Sequence, residues 1–599
     1  MKSLMQLLLC VLADAGRWCR TSTSRDLKTI TSRVEHEGLS FLTIALPSFC
    51  QDFERSLDEG IVAPSRFLGF KKRGRLPVFL RGFTELVFDT RSGVLLENPD
   101  VHAIFAVRQI TLLYKKILLP CSKERVGRAY SRFIECESEV RLADQTLSSF
   151  RYERFREYSR LLWGAVLQDV QSLVQNVQIV PKHGPGATAD RVVGNAKFTI
   201  RRWNERLEPF FPSDAFAVPN VGFLEDLDAV EFLEPDAEIP VRVITVPKTL
   251  KTPRIIAIEP CHVQYVQQAL LEVIVPALES HRWTSGSVNF TDQKINQQLA
   301  LQASSDQRLS TIDMKDASDK VSNRLVVAML ESVPDLSGAI QACRSLRADV
   351  PGHGVTPLSK FASMGSALCF PIEAMVFYTI LLIAWHEHQG CRLSEKSLLR
   401  AKSDVRVYGD DIIIPTELVP IAVRELEAYG LTVNKHKTFS TGKFRESCGV
   451  DAFAGTPVTP VYVRRTLPTS RRDTSEMLST ISLANQFYFA GYWETCTWLR
   501  NYTERFATVP YVSDTSPVHG WLSYKYAYEI QSWDPHLHAP RVKGVVTRVK
   551  SRASKLTGYG ALLKFFIKRG EEPLHDVKHL ERHGRPESVD IMIRWAQPY

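Results

Sequence analysis

Eleven cysteines are spread over the 599 residues without a C-x-x-C pair or a Cys/His cluster at zinc spacing. Their scatter and odd number exclude the disulfide framework of a small secreted scaffold and fit reduced thiols in a cytosol. Internal repeats and low-complexity tracts are missing, which excludes solenoids and fibrous arrays. Long apolar runs are scarce. Residues 4–12 resemble a signal-peptide core, but only one lysine precedes them, Asp14 follows at once, and no small-residue cleavage site is evident. An amphipathic first helix is expected there. The best later run, Val376 to Trp385, is too short to span a bilayer and reads as a core helix. The expectation is a soluble protein with no membrane partner. Charge of one sign is in slight excess: a net +9 and a pI near 8.9 favour a polyanionic partner without marking a basic tail.

What the chain does have is a 44% hydrophobic, 24% charged composition, enough for a large core divided among subdomains. Its most informative stretch is 405–415, Val-Arg-Val-Tyr-Gly-Asp-Asp-Ile-Ile-Ile-Pro. Apolar and β-branched residues on both sides of a glycine predict two short buried strands joined by a tight turn. The turn carries Asp410 and Asp411 between strands too apolar to solvate them. Adjacent buried carboxylates repel and take up a proton unless a cation compensates. Oxygen ligands of this kind suit Mg²⁺, with Mn²⁺ as the alternative. A Gly-Asp turn can also be an ordinary surface hairpin, but surface turns rarely sit between two fully apolar strands.

Other stretches extend the pattern. Residues 1–180 are expected to be mostly helical. Lys182 to Thr188 holds two glycines around a proline, a rigid turn whose amides, with Lys182, suit a phosphate as well as a purely structural role. Residues 213–240 are acidic and proline-spaced, predicting an exposed connector. Two strands, 241–246 and 255–258, flank Lys248, Lys251 and Arg254, placing a basic hairpin tip where a triphosphate could be gripped. A buried helix is expected over 262–280, and the polar stretch 289–297 leads into another. A strand ends at Asp313, and Asp316 and Asp319 follow at three-residue steps before a helix at 324–331. Asp319 lies at the start of a helix running from about Val321, a position where Asp also caps well. A small-residue loop containing Ser363, Gly365 and Ser366 opens a long helix over 370–388, and such a loop lets backbone approach a sugar or phosphate. An amphipathic helix near 417–429 precedes Lys435 and Lys437. From Arg541 to Arg569 there are nine Lys/Arg and no Asp/Glu, interleaved with Tyr559, Phe565 and Phe566. This is the strongest electrostatic footprint for RNA, chiefly through Lys543, Arg548, Lys550, Arg552 and Lys555.

Asp313 at one strand end, Asp410-Asp411 in a hairpin, a basic hairpin and a glycine-bearing loop, in this order, describe two-metal phosphoryl transfer. At this point the chain resembles the replicase catalytic subunit of the positive-strand RNA bacteriophages, the levivirus family. The resemblance rests on Tyr408-Gly409-Asp410-Asp411, Asp313 with Asp319, the segment from Val246-Pro247-Lys248 through Arg254 to Glu259-Pro260, Asp292-Gln293 with Asn296-Gln297, and Phe444 to Gly449. These motifs cover about 180–465. Ser366 departs from the family, whose best-known members carry Asn after Ser-Met-Gly.

The resemblance implies an RNA-dependent RNA polymerase of α+β class with a right-hand fold. Residues 1–240 would form an N-terminal region and part of the fingers, 241–465 the palm with fingers motifs, and 466–599 a thumb-like region with the basic segment. Asp313 and Asp410 would be the main ligands of two Mg²⁺ ions, and Asp411 an auxiliary one. Lys437 would act as proton donor to the leaving pyrophosphate, with Lys435 as fallback. Lys248 and Arg254 would hold the triphosphate, Asp319 would read the ribose 2′-hydroxyl, and Ser363, Gly365 and Ser366 would line the nucleotide. Template and product RNA and nucleoside triphosphates are the implied partners. Host elongation factors Tu and Ts and a host ribosomal protein are also implied, in the cytoplasm of a bacterial host. A reverse transcriptase shares the carboxylates, but Gly409 before the Asp pair and the polar Asp319 count against it. A silent RNA-binding protein would fit the basic segment but not three carboxylates at strand ends.

Overall fold

The computed structural model describes residues 2–568 and 579–599; Arg569, which closes the basic segment, lies outside them. The helical first third follows from its apolar spacing. In the helix Lys2–Trp18, Leu4, Leu7, Leu8, Val11 and Leu12 line one buried stripe. That stripe packs on the helices Val101–Leu112 and Trp493–Glu504. Asp14, buried on the same helix, accepts hydrogen bonds from the Thr495 amide (2.8 Å) and hydroxyl (2.7 Å), capping a helix some 480 positions away in the chain. Residues 4–117 therefore share one core with Phe439, Phe444, Phe453 and the apolar residues of 458–545. This packing unit runs across the sequence boundaries drawn at 240 and 465.

A second core surrounds the helix Cys369–Gln389. By length and composition this helix could cross a membrane, which corrects the reading that no run after the N-terminus is long enough. Its most apolar window is 94% buried inside the protein. The helices Ser149–Val166, Cys261–Ser280 and Val419–Ala428 pack around it, so it is apolar on every side because it is a core helix.

Two small sheets carry the predicted motifs. Val241–Val246 and Arg254–Ile258 form an antiparallel hairpin, extended by Arg347–Val350, parallel to Val241–Val246, and by Gly354–Pro357. Leu309–Asp313, Asp411–Pro415 and Arg406–Tyr408 form a three-stranded antiparallel sheet with Asp411–Pro415 in the middle. Val407, Ile412 and Ile414 are buried against the second core.

The structure alters three expectations. The acidic 213–240 stretch is largely exposed but not featureless. It contains the strand Glu231–Leu233, parallel to Arg202–Asn204, and its Glu238 is buried in a two-bond pair with Arg206 (2.6 and 2.7 Å). The helix expected over 324–331 spans Asn323–Met329, and its N-cap is Ser322, whose hydroxyl accepts from the Arg324 amide at 3.1 Å. Asp319 lies before it in the short turn Ser318–Lys320 and caps no helix among the described residues.

Candidate active site

The strand register assembles the acids. Asp411 stands directly opposite Asp313, and Ile412 opposite Ile312, so the two carboxylates emerge side by side at one sheet end. Asp410 is held beside them by the two-residue turn, in which Gly409 has φ +59°. No other residue fits there. A Cβ on Gly409 would fall 1.7 Å from the ring of Phe370, which packs on the turn from the start of the long core helix.

Each acid has a different surrounding. Asp313 Oδ2 accepts from Asn434 Nδ2 at 2.6 Å, and Oδ1 lies 3.5 Å from Lys437 Nζ. Burial raises its pKa, and Lys437 opposes the rise. Asp411 is pushed up to about 7 by burial, then by the charges of Asp410 and Glu446. It accepts a backbone hydrogen bond from Cys448 at 3.2 Å. Asp410 is exposed and accepts no hydrogen bond from the described residues.

Lys437 lies between two carboxylates, 3.5 Å from Asp313 and 3.4 Å from Glu446. Burial alone would lower its pKa, but Glu446 and Asp313 outweigh burial and hold the ammonium firmly charged. Lys435, the fallback, points away: its side chain is 76% exposed and 3.9 Å from Glu427. The basic hairpin faces the acids from the other side. Lys248 has its pKa lowered by burial and by its neighbours Arg254 and Lys437, while Asp313 and Asp410 draw it back up. Its tip is anchored from outside by Arg125, which donates to the Leu250 carbonyl at 2.8 Å.

The Ser-Gly loop is stitched to the same hairpin. The Ala257 amide donates to the Met364 carbonyl (2.9 Å), and a Cβ on Gly365 would lie 2.0 Å from the Ala257 carbonyl oxygen. Ser363 donates to Asp319 Oδ1 at 2.8 Å, while the Ser366 hydroxyl accepts from the Leu368 amide at 3.3 Å. Asp316 turns away to Arg132 at 3.0 Å.

Sequence reasoning gave no role to four members of this site. Lys360 is fully buried and donates to the same Asp319 oxygen at 2.8 Å while pairing with Glu137 at 3.2 Å. Asn434 holds Asp313, and Glu446 holds Lys437. Glu373, buried on the core helix, has its pKa raised well above the carboxylate range by burial, then by Asp410 and Asp319. The available signal was a charged residue inside an apolar run, as at Lys360 and Glu373. Two motifs singled out in the sequence interlock. Gln297 donates to the Cys448 carbonyl (3.0 Å) and Gln293 to the Tyr408 hydroxyl (3.3 Å), bracing both hairpins.

The basic C-terminal residues are not one patch. Lys543, Arg548, Lys550, Arg552 and Lys555 are all exposed. In the bulge-free ladder of Pro540–Lys550 with Ser588–Ala596, however, Lys543 lies on the opposite face from Arg548 and Lys550. Lys550 and Arg552 each stand 3.7 Å from Glu587.

Among the described residues, no group of three or more His, Cys, Asp or Glu is drawn together as a ready cation cage. The donor set nonetheless fits a divalent ion. It supplies hard oxygens, two of them on half-buried carboxylates facing each other with raised pKa values, and a third carboxylate that accepts no hydrogen bond from the described residues. The cationic hairpin stands opposite these carboxylates. Residues 237–496 match the family model described as RNA replicase, beta-chain.

The chain is 30% identical over 355 residues to the RNA-directed RNA polymerase subunit beta of Enterobacteria phage SP, covering 58% of each chain. It is 36% identical over 223 residues to the beta chain of Escherichia phage MS2 (37% of each) and 34% over 263 residues to subunit beta of Escherichia virus Qbeta (42% of each). The matched region thus spans from about a third to somewhat over half of these relatives' lengths. Solved structures with a likeness include the RNA-dependent RNA polymerase of a human picorbirnavirus, at 11% identity and TM-score 0.31 over 44% of this chain and 55% of that one. Another is the BmCPV RNA-dependent RNA polymerase at elongation state, at 10% identity and TM-score 0.35 over 67% of this chain and 38% of that one.

Proposed function

We propose that the chain is an RNA-directed RNA polymerase that copies single-stranded phage RNA from nucleoside triphosphates and releases pyrophosphate. The observation that carries this reading is the register that sets Asp313 opposite Asp411, with Asp410 one residue away and Lys248 facing them. Asp313 and Asp410 would hold two Mg²⁺ or Mn²⁺ ions, with Asp411 as a further ligand. When bound, such ions lower the pKa of an attacking 3′-hydroxyl and stabilise charge on the transferred phosphoryl group.

The chain's own residues then position and neutralise. Lys248 and Arg254 grip the triphosphate as phosphate contacts that carry no base information. Asn434 fixes one oxygen of Asp313, leaving the other turned toward Lys437. Lys437 balances Asp313 and Glu446 and donates a proton to the departing pyrophosphate. Its raised pKa means the proton is released only once those two carboxylates are compensated otherwise. Asp319 keeps Oδ1 on Lys360 and Ser363, leaving Oδ2 to accept from a ribose 2′-hydroxyl. Ser363, Gly365 and Ser366 bring backbone close to the nucleotide.

In this reading the three-stranded sheet and core helix are the palm of a right hand, and the basic hairpin belongs to the fingers. The C-terminal region is then a thumb whose exposed cations contact RNA. Host elongation factors Tu and Ts and a ribosomal protein would join it in the bacterial cytoplasm. The test is primer extension with ribonucleotides and Mg²⁺, comparing parent and Asp410→Asn. Synthesis should collapse while the melting curve stays intact. Near-parental elongation by the folded variant would remove Asp410 from the mechanism, and a parent inert on every RNA template would remove the reading itself.

A further inference from the structure

The helix Lys123–Thr146 buries one face, on which Ala129, Phe133, Cys136 and Val140 recur at steps of four, three and four. Glu137 lies on that face too and is fully buried. A carboxylate there costs stability unless it is paired and hydrogen-bonded. Its partners come from a segment 222 positions further along the chain. Oε2 accepts from the Ser359 amide at 2.6 Å and from the Lys360 amide at 3.4 Å, and Oε1 lies 3.2 Å from Lys360 Nζ.

Lys360 passes this constraint on. Its ammonium, also fully buried, has three donors, and three groups surround it. They are Glu137, Asp319 Oδ1 at 2.8 Å, and the face of Phe133, whose ring centroid is 3.4 Å away. The same helix holds the turn that carries Asp319. Arg132 pairs at 3.0 Å with Asp316, where φ is +53°, and Glu139 pairs with Lys320. Asp319 is therefore placed by this helix as well as by the strand that ends at Asp313.

Glu137 matters for charge as well as for place. Two carboxylates share one ammonium, so Lys360 cannot draw both oxygens of Asp319 onto itself. Oδ1 is taken by Lys360 and Ser363, and Oδ2 accepts no hydrogen bond from the described residues. Without the charge on Glu137, Lys360 and Asp319 would become an exclusive pair, and Oδ2 would turn toward the ammonium.

We propose that Glu137 is a positioning residue for sugar selectivity: by holding Lys360 it keeps one oxygen of Asp319 free to accept from the ribose 2′-hydroxyl. This rests on the reading of Asp319 as the sugar contact, and adds a residue that reaches Asp319 only through Lys360.

The test is Glu137→Gln, in which the side-chain carbonyl can still accept the Ser359 amide while the charge is gone. Initial rates on one RNA template give kcat/KM for ATP and for dATP, beside a melting curve. The ATP-to-dATP ratio should fall by roughly tenfold, through loss with ATP and little change with dATP, since one buried polar contact carries about that much discrimination. Both substrates are read on the same preparation, so an unfolded fraction cancels from the ratio. Leu142→Gly, at an exposed position of the same helix, should lower the melting temperature without moving the ratio. A parental ratio in Glu137→Gln, where Asp319→Ala lowers it, would overturn the proposal and leave the Asp319 reading standing. A parental ratio in Asp319→Ala as well would take down both. An equal fall in Leu142→Gly would reduce Glu137 to a structural residue of the helix.

Discussion

Replacing Asp411 by Asn should make the metal-free protein more stable, a sign that only a charge-balance argument predicts. Asp411 is opposite Asp313 in register and is pushed from 3.8 up to about 7, first by burial, then by Asp410 and Glu446. Below about pH 4 the group is protonated in both folded and unfolded chains and costs nothing. Between about pH 4 and pH 7 the folded state alone retains the proton, so stability falls as pH rises, and above about pH 7 the full cost applies. A shift of this size corresponds to roughly 2–4 kcal/mol, the lower figure allowing for solvent at the edge of the turn. Asparagine carries no charge, and its carbonyl oxygen can still accept the Cys448 amide. Calorimetry in chelator should therefore show the variant melting several degrees above the parent near pH 8 and level with it near pH 4. Adding Mn²⁺ should reverse the order, because a ligand bound only to the folded parent stabilises it by mass action. A variant that melts below the parent at pH 8 without metal, or an offset that ignores pH, would refute the reasoning.

Further outcomes follow from single contacts. Gly409→Ala should cripple synthesis because the new Cβ meets the Phe370 ring, and Phe370→Leu in the same chain should restore part of it; a defect that Phe370→Leu does not relieve would point to backbone strain alone. Lys360→Met strands Glu137 and Asp319 without their shared cation and should cost about 3–5 kcal/mol in denaturant titration; a cost under about 1 kcal/mol would mean that water replaces the ammonium. Asp319→Ala should lower the kcat/KM ratio of ATP to dATP by roughly ten- to a hundredfold. Ser322→Ala, which removes the actual helix cap, should instead cost about 1 kcal/mol and leave that ratio alone. Lys437→Leu should slow chemistry by about 10²–10⁴-fold, and a parental single-turnover rate would deny it the proton-donor role.

The sequence by itself determined whatever depends on local pattern. Apolar and β-branched residues on both sides of Gly409 set the carboxylate hairpin and its two strands. The strand ending at Asp313 and the core helix near 370–388 were legible for the same reason. Spacing named the acids but could not order them: which aspartate faces Asp313 depends on the register between strands about a hundred residues apart, and a slip of one residue would turn Asp411 to the other face. The roles of Lys360, Asn434, Glu373 and Glu446 became visible only in the folded chain, because they are defined by partners that local pattern does not reveal. Asp319 read as a sugar contact with a helix cap as the alternative, and the cap turned out to be the Ser322 hydroxyl on the Arg324 amide. The basic segment read as an electrostatic footprint because charge was counted along the chain, whereas strand alternation sets Lys543 on the opposite face from Arg548 and Lys550. The pair of Glu137 with Lys360 spans 223 positions of chain, which no local pattern could join. Composition and period fix elements, but the pairing of distant surfaces is settled by which burial the whole chain can satisfy at once.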